Sequence, residues 1–109
     1  MNTAQLAIRY FKAFAEKDLG SLDVLLADDI VLTDWDGQAI GKEAVLKFCE
    51  TLFKSVGRLN VDIEKIAIGQ DTVMAELGIA INGANKIHVV DVLDYDQDKK
   101  IKRIRAYKR

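Results

Sequence analysis

The sequence predicts an α+β domain in which three helices of the N-terminal half pack on one face of a curved antiparallel sheet. Three observations carry this. Apolar residues recur at helical spacing in separate segments up to Val56; from Leu59 they alternate with period two; and the alternating segments are joined by tight turns. Tight turns join antiparallel neighbours. Helices segregated on one face of such a sheet close over a concave interior, which is where a ligand is expected.

The elements follow in order. Thr3 is placed to cap a helix running to about Lys17, with Leu6, Ala7, Tyr10, Phe11 and Phe14 on its apolar face. Gly20 is expected to end it, and Ser21 to cap a short second helix, "LDVLLADD", closed by Asp28 and Asp29. "IVLTDW" reads as a strand, with the turn signal Asp36-Gly37 directly after it. Between about Lys42 and Val56, the residues Val45, Leu46, Cys49, Leu52 and Phe53 form a third amphipathic helix, and Gly57 stands in the stop position. Then Leu59, Val61, Ile63, Ile66 and Ile68 mark one strand, and Val73 through Ile81 a second, after a turn at Gly69 to Asp71. "HVVDVLDYD" (His88 to Asp96) and Ile101 to Lys108 are the last two, separated by turns at Asn82 to Asn85 and Gln97 to Lys100.

Composition narrows the function classes. A chain of 109 residues makes one domain, spanning 1–109. The net charge of −1 gives no global attraction to nucleic acid or anionic membrane, and the basic ending "KKIKRIRAYKR" alternates as a strand with one wet face. Cys49 is the only cysteine, so no internal disulfide forms, and His88 is the only histidine, so neither a metal site nor a histidine-based triad is expected. No basic-then-apolar signal pattern occupies the first thirty residues and no apolar run approaches membrane-spanning length; a cytoplasmic location is the expectation.

The stretch "RYFKAFAEKDLGSLDVLLADDIVLTDWDG", Arg9 to Gly37, resembles the opening of the nuclear transport factor two-like superfamily, in particular its SnoaL-like and ketosteroid isomerase branch. An aromatic helix is followed by Asp18, Leu19 and Leu22, then Ala27 to Asp29, then a strand ending at Asp34. The ending "VDVLDYDQDKKIKRIRAY" is similar to that branch's last hairpin, and the likeness spans nearly the whole chain. It implies a cone-shaped sheet with the helices packed inside, and a pocket for a small hydrophobic molecule. It also implies a cofactor-independent isomerase of a carbonyl compound, or a SnoaL-like cyclase using the same enolate chemistry. The alternative within the same fold is a non-catalytic ligand-binding or protein-association domain.

The resemblance also implies roles. Tyr10 matches an oxyanion-hole tyrosine, Asp34 the general base, and Asp91 a second oxyanion donor that is a protonated aspartic acid. The residue types suit such work, because moving a proton beside a carbonyl needs a base near the C–H bond and donors where charge develops on oxygen. Phe14, Trp35, Cys49, Val89, Leu93, Ile104, Ala106 and Lys108 are the expected pocket lining. Cys49 stands where the isomerases carry a supporting tyrosine, Lys108 where they carry an aromatic residue, and Trp35 where proline is common.

Each residue also has a plainer reading. Tyr10 sits on an apolar helix face as core would, and Asp34 begins the Asp-Gly turn. Asp91 interrupts the stripe Val89, Leu93, Tyr95, and two hairpin registers accommodate it. In one, Asp91 faces Arg105 across the strands as a solvated ion pair. In the other, it faces Ala106, with Leu93 against Ile104, Asp94 against Arg103 and Lys108 opposite Val89. A slip of one residue exchanges the two faces, and periodicity alone does not choose between them. The resemblance favours the second. Apolar residues on both faces, Val90 and Val92 on the outer one, lead to the expectation of a homodimer.

Overall fold

A computed structural model describes residues 1–109. Helix α1 (Thr3–Ala15) begins one residue earlier than Thr3 suggests, because Asn2 and Gln5 close a reciprocal capping box: Asn2 Oδ1 accepts from the Gln5 amide at 2.9 Å, and Gln5 Oε1 from the Asn2 amide at 3.0 Å. Its buried face is Ala7, Tyr10, Phe11 and Ala13. The chain leaves α1 through Lys17, whose φ of 58° breaks the helix. Asp18, rather than Ser21, then caps α2 (Leu19–Leu25) by accepting from the Ser21 amide at 3.1 Å, so Gly20 lies inside α2 instead of ending α1.

Strand β1 (Leu26–Thr33) starts immediately after α2, so Asp28 and Asp29 lie in a strand and do not close a helix. They occupy a register irregularity between Leu26 and Val31 and face solvent, while Leu26, Ala27, Ile30 and Leu32 point inward. Strand β2 (Gln38–Ile40) is an element the sequence pattern does not signal. It is three residues long, too short for a periodicity signal, and pairs with the end of β1 through Val31↔Ile40 and Thr33↔Gln38. Helix α3 (Lys42–Ser55) buries Val45, Cys49 and Phe53, and Lys17 Nζ donates to the carbonyls of Val56 and Gly57 just beyond its C-terminus.

The remaining strands, β3 (Leu59–Ile68), β4 (Thr72–Ile81), β5 (Ile87–Tyr95) and β6 (Ile101–Lys108), form an antiparallel meander. The sheet order is β2-β1-β6-β5-β4-β3, with β1 parallel to β6. The curved sheet is therefore mixed and open, which corrects the all-antiparallel expectation: β1 comes off α2 pointing the same way as the chain's last strand. One apolar cluster joins all three helices to the sheet's inner face and includes Leu22, Ile30, Val73, Leu93 and Ile101. No helix is long and apolar enough to cross a membrane.

Candidate active site

The β5–β6 hairpin sets the site. Its turn is tied by Asp96 Oδ1, which accepts from the amides of Asp98 at 2.9 Å and Lys100 at 3.0 Å, with Lys99 in the left-handed region at φ 61°. Beyond a bulge between Asp94 and Tyr95, the pairs run Asp94↔Arg103, Leu93↔Ile104, Asp91↔Ala106 and Val89↔Lys108. This is the register that turns Asp91 inward. Arg105, on the outer face, bonds instead to Asp94 Oδ2 at 2.8 Å, so the Asp91–Arg105 ion pair does not form.

Asp91 also pairs with Ala75 on β4, so an alanine flanks it on both sides. Two small neighbours leave room for a carboxyl without supplying it a partner, and no protein group makes a side-chain hydrogen bond to it. At 8 % exposure it is the one charged residue type in the buried set, and burial lifts its carboxyl from 3.8 to about 7. Lys108, opposite Val89, does not counter this, because its ammonium lies 5.2 Å over the Trp35 ring.

Asp91 opens on a cavity of about 260 Å³ between the helices and the sheet. Tyr10 and Phe14 reach it from α1, Phe48 and Leu52 from α3, Leu77 and Ile79 from β4, and Ile104 and Ala106 from β6. Tyr10 packs edge-on to Phe11 at 5.3 Å, and its hydroxyl is held protonated: burial first, then the nearby Asp91, Cys49 and Tyr95 charges, push it well above 10. It is a donor at any physiological pH.

Asp34 lies just past the end of β1, half-buried on the cavity rim. Its Oδ1 accepts from the amides of Asp36 at 2.8 Å and Gly37 at 3.0 Å, so the side chain does build the turn. Oδ2 takes no part in that turn. One oxygen orients the carboxylate and the other remains available to a ligand.

A profile of SnoaL-like domains matches residues 7–104. The chain belongs to the SnoaL-like domain family. Among curated proteins none matches it by sequence. Solved structures with the same fold include a candidate SnoaL-like polyketide cyclase from Shewanella denitrificans (20% identity, 98% of this chain and 90% of that one, TM-score 0.89). A candidate ketosteroid isomerase from Kribbella flavida is similar (16% identity, 98% and 77%, TM-score 0.87), as is an LEH-like epoxide hydrolase from Mycobacterium tuberculosis (21%, 98% and 82%, TM-score 0.84). At these identities the likeness establishes the nuclear transport factor two-like fold and leaves the chemistry to the site.

Within this SnoaL-like domain, Tyr10, Asp34 and Asp91 line one cavity, together with the expected Phe14, Trp35, Val89, Ile104 and Ala106. Three expected lining residues do not. Cys49 is sealed in the core, where burial pushes its thiol to about 11, and Leu93 is fully buried against Val73 and Ile104. Lys108 is drawn outward over Trp35. Residues missed in the sequence are the aliphatic wall of Leu77 and Ile79, which the alternation of β4 already displayed, and Phe48, half-turned to solvent on α3.

Tyr95 lies in the same core. Its hydroxyl is buried with no hydrogen-bond partner, and burial pushes it to about 12. An unpaired buried hydroxyl costs about 1–3 kcal/mol. Tyr95→Phe is expected to raise stability by about 1 kcal/mol on that scale, seen as a higher Tm in thermal unfolding. A lower Tm would show that the hydroxyl is bonded.

Proposed function

We propose that this SnoaL-like domain is a cofactor-independent isomerase of a small hydrophobic carbonyl compound, acting by enolisation. The observation that supports it most is Asp91: a carboxyl pushed up to about 7 by burial, flanked by alanines, and opening with Tyr10 onto an apolar cavity whose rim carries a carboxylate. In this reading the substrate carbonyl oxygen accepts hydrogen bonds from Tyr10 and Asp91, which lowers the cost of charge developing there. Asp34 Oδ2 removes a proton from the carbon beside the carbonyl and returns it two carbons along, so a β,γ-unsaturated ketone becomes the conjugated isomer with no net gain or loss of protons. A cyclase would use the same enolate to form a carbon–carbon bond.

Conjugation is visible directly. A β,γ-unsaturated cyclohexenone incubated with the protein is expected to gain the ultraviolet absorbance of the conjugated enone at a rate proportional to enzyme. Binding without any gain in absorbance favours the second reading, a non-catalytic ligand-binding or association domain. That reading draws support from Asp34 Oδ1 being committed to a turn.

Two further features complete the proposal. The protein acts in the cytoplasm, a reading supported by its single free, buried cysteine. It also pairs with a second copy through the outer face of β4 and β5, where half-exposed Met74 lies opposite Val92 and Val90 lies opposite Glu76. Val92 is already covered within the chain and adds little. Light scattering that gives a monomer mass at micromolar concentration would remove the dimer.

A further inference from the structure

On the outer side of the sheet a second cavity, a groove of about 710 Å³, runs between the β1–β2 edge and β6. The pairing of β1 with β6 ends at Thr33↔Arg105, and β6 continues for three more residues with no strand beside it on that side. The chain turns away there at Asp34 and Trp35. The break leaves the inner cavity and the outer groove meeting at one place: Asp34, Trp35 and Ala106 line both.

The two compartments differ in character. The inner one is walled mainly by aliphatic and aromatic side chains, with Tyr10 and Asp91 among them. The outer one carries Arg103, Arg105 and Lys108, with the exposed rings of Tyr107 and Trp35 beside them. Arg105 is neutralised by Asp94, whereas Arg103 makes no ion pair and Lys108 engages only the Trp35 ring. Asp34, at the junction, is the groove's only acidic lining residue, so a net positive charge remains.

We propose that the two cavities form one bipartite site, and that the substrate is a hydrophobic carbonyl head joined to an anionic tail. The proposal rests on the enolisation reading for the head. The head occupies the inner cavity, the chain passes Asp34 and Trp35, and a carboxylate or phosphate on the tail meets Arg103 and Lys108. An uncharged steroid-like ligand would leave these cations unused. The geometry also explains Lys108: stacked on Trp35, it is held at the junction instead of reaching into the inner cavity toward Asp91.

The test compares three probes built on one β,γ-unsaturated cyclohexenone, with a short chain ending in a hydroxyl, a carboxylate or a phosphate. Turnover is followed by ultraviolet absorbance, and equilibrium binding by the fluorescence of Trp35, the only tryptophan. Either anionic probe is expected to bind about three- to tenfold more tightly than the alcohol, the scale of one or two exposed ion pairs, and the margin shrinks in high salt. If only one anion gains, that anion identifies the tail. Arg103→Gln with Lys108→Gln brings the anion-to-alcohol ratio to about one, while Lys54→Gln with Lys65→Gln, an equal charge change at exposed positions elsewhere, leaves the ratio alone. Equal affinity for the alcohol and both anions, or a ratio that survives the double substitution, overturns the bipartite site. Absence of turnover with every probe defeats the enolisation reading, and the binding ratios still decide the tail.

Discussion

Asp34→Asn is expected to lower kcat for enone conjugation by about 10²–10⁴-fold, the range a positioned general base supplies, with a much smaller change in KM. The amide is the informative replacement. It keeps an oxygen where Oδ1 accepts from the Asp36 and Gly37 amides, so the turn survives and only the basic oxygen is lost. Tyr10→Phe in the same assay should cost about 10²–10³-fold, as loss of one oxyanion donor does. An Asp34→Asn enzyme as fast as the parent would eliminate Asp34 as the base whatever the fate of Tyr10.

Asp91→Asn is expected to have its largest effect on the pH dependence of stability. The unfolded carboxyl titrates near 3.8 and the folded one near 7, so between these values the native state holds a proton that the unfolded chain has released. Stability from the neutral, buried acid is therefore complete below about pH 4 and is lost as pH rises toward 7; above that, the native state carries a buried charge. The difference across the window is about 4 kcal/mol as an order of magnitude. Asparagine cannot ionise. In urea unfolding the variant should match the parent to within about 1 kcal/mol near pH 4 and exceed it by several at pH 8. Parallel pH profiles for the two proteins would mean that Asp91 is paired or hydrated. Under the enolisation reading, kcat/KM of the parent also falls above pH 7 as the donor ionises, and the variant, slower throughout, lacks that fall.

The regions legible in the sequence are those where one physical signal dominates. Helical and alternating periods placed α1, α3 and strands β3 to β6, because each buries one face over many residues. Caps were harder. Asn2 and Asp18 outcompete Thr3 and Ser21 because their side chains reach the amides three residues on, a choice among neighbouring polar residues that composition does not rank. Strand β2 is held by β1 and carries only Ala39 inward, so it has no period of its own.

The site divides in the same way. Asp91's register was undecided because both pairings give sensible partners, and the structure resolves it through the bulge before Tyr95 and the Asp96-centred turn. The two alanines beside Asp91 were visible as letters, and their meaning emerged only once three strands were aligned. Lys108 left the cavity through a contact with Trp35 from a distant loop, which no local pattern encodes.

The place of β6 in the sheet bears on how the domain is made. The sixth strand in chain order lies inside the sheet, with Leu32 of β1 paired to Ile104 on one side and Leu93 of β5 on the other. Until it docks, β1 with β2 and β5 with its meander are two sheet fragments with bare edges, prone to pair with other chains. Asp34 and Asp91 belong to different fragments. The nascent chain therefore has no pocket, and a folding rate limited by this end-to-end closure would also limit how soon newly made protein can bind its ligand.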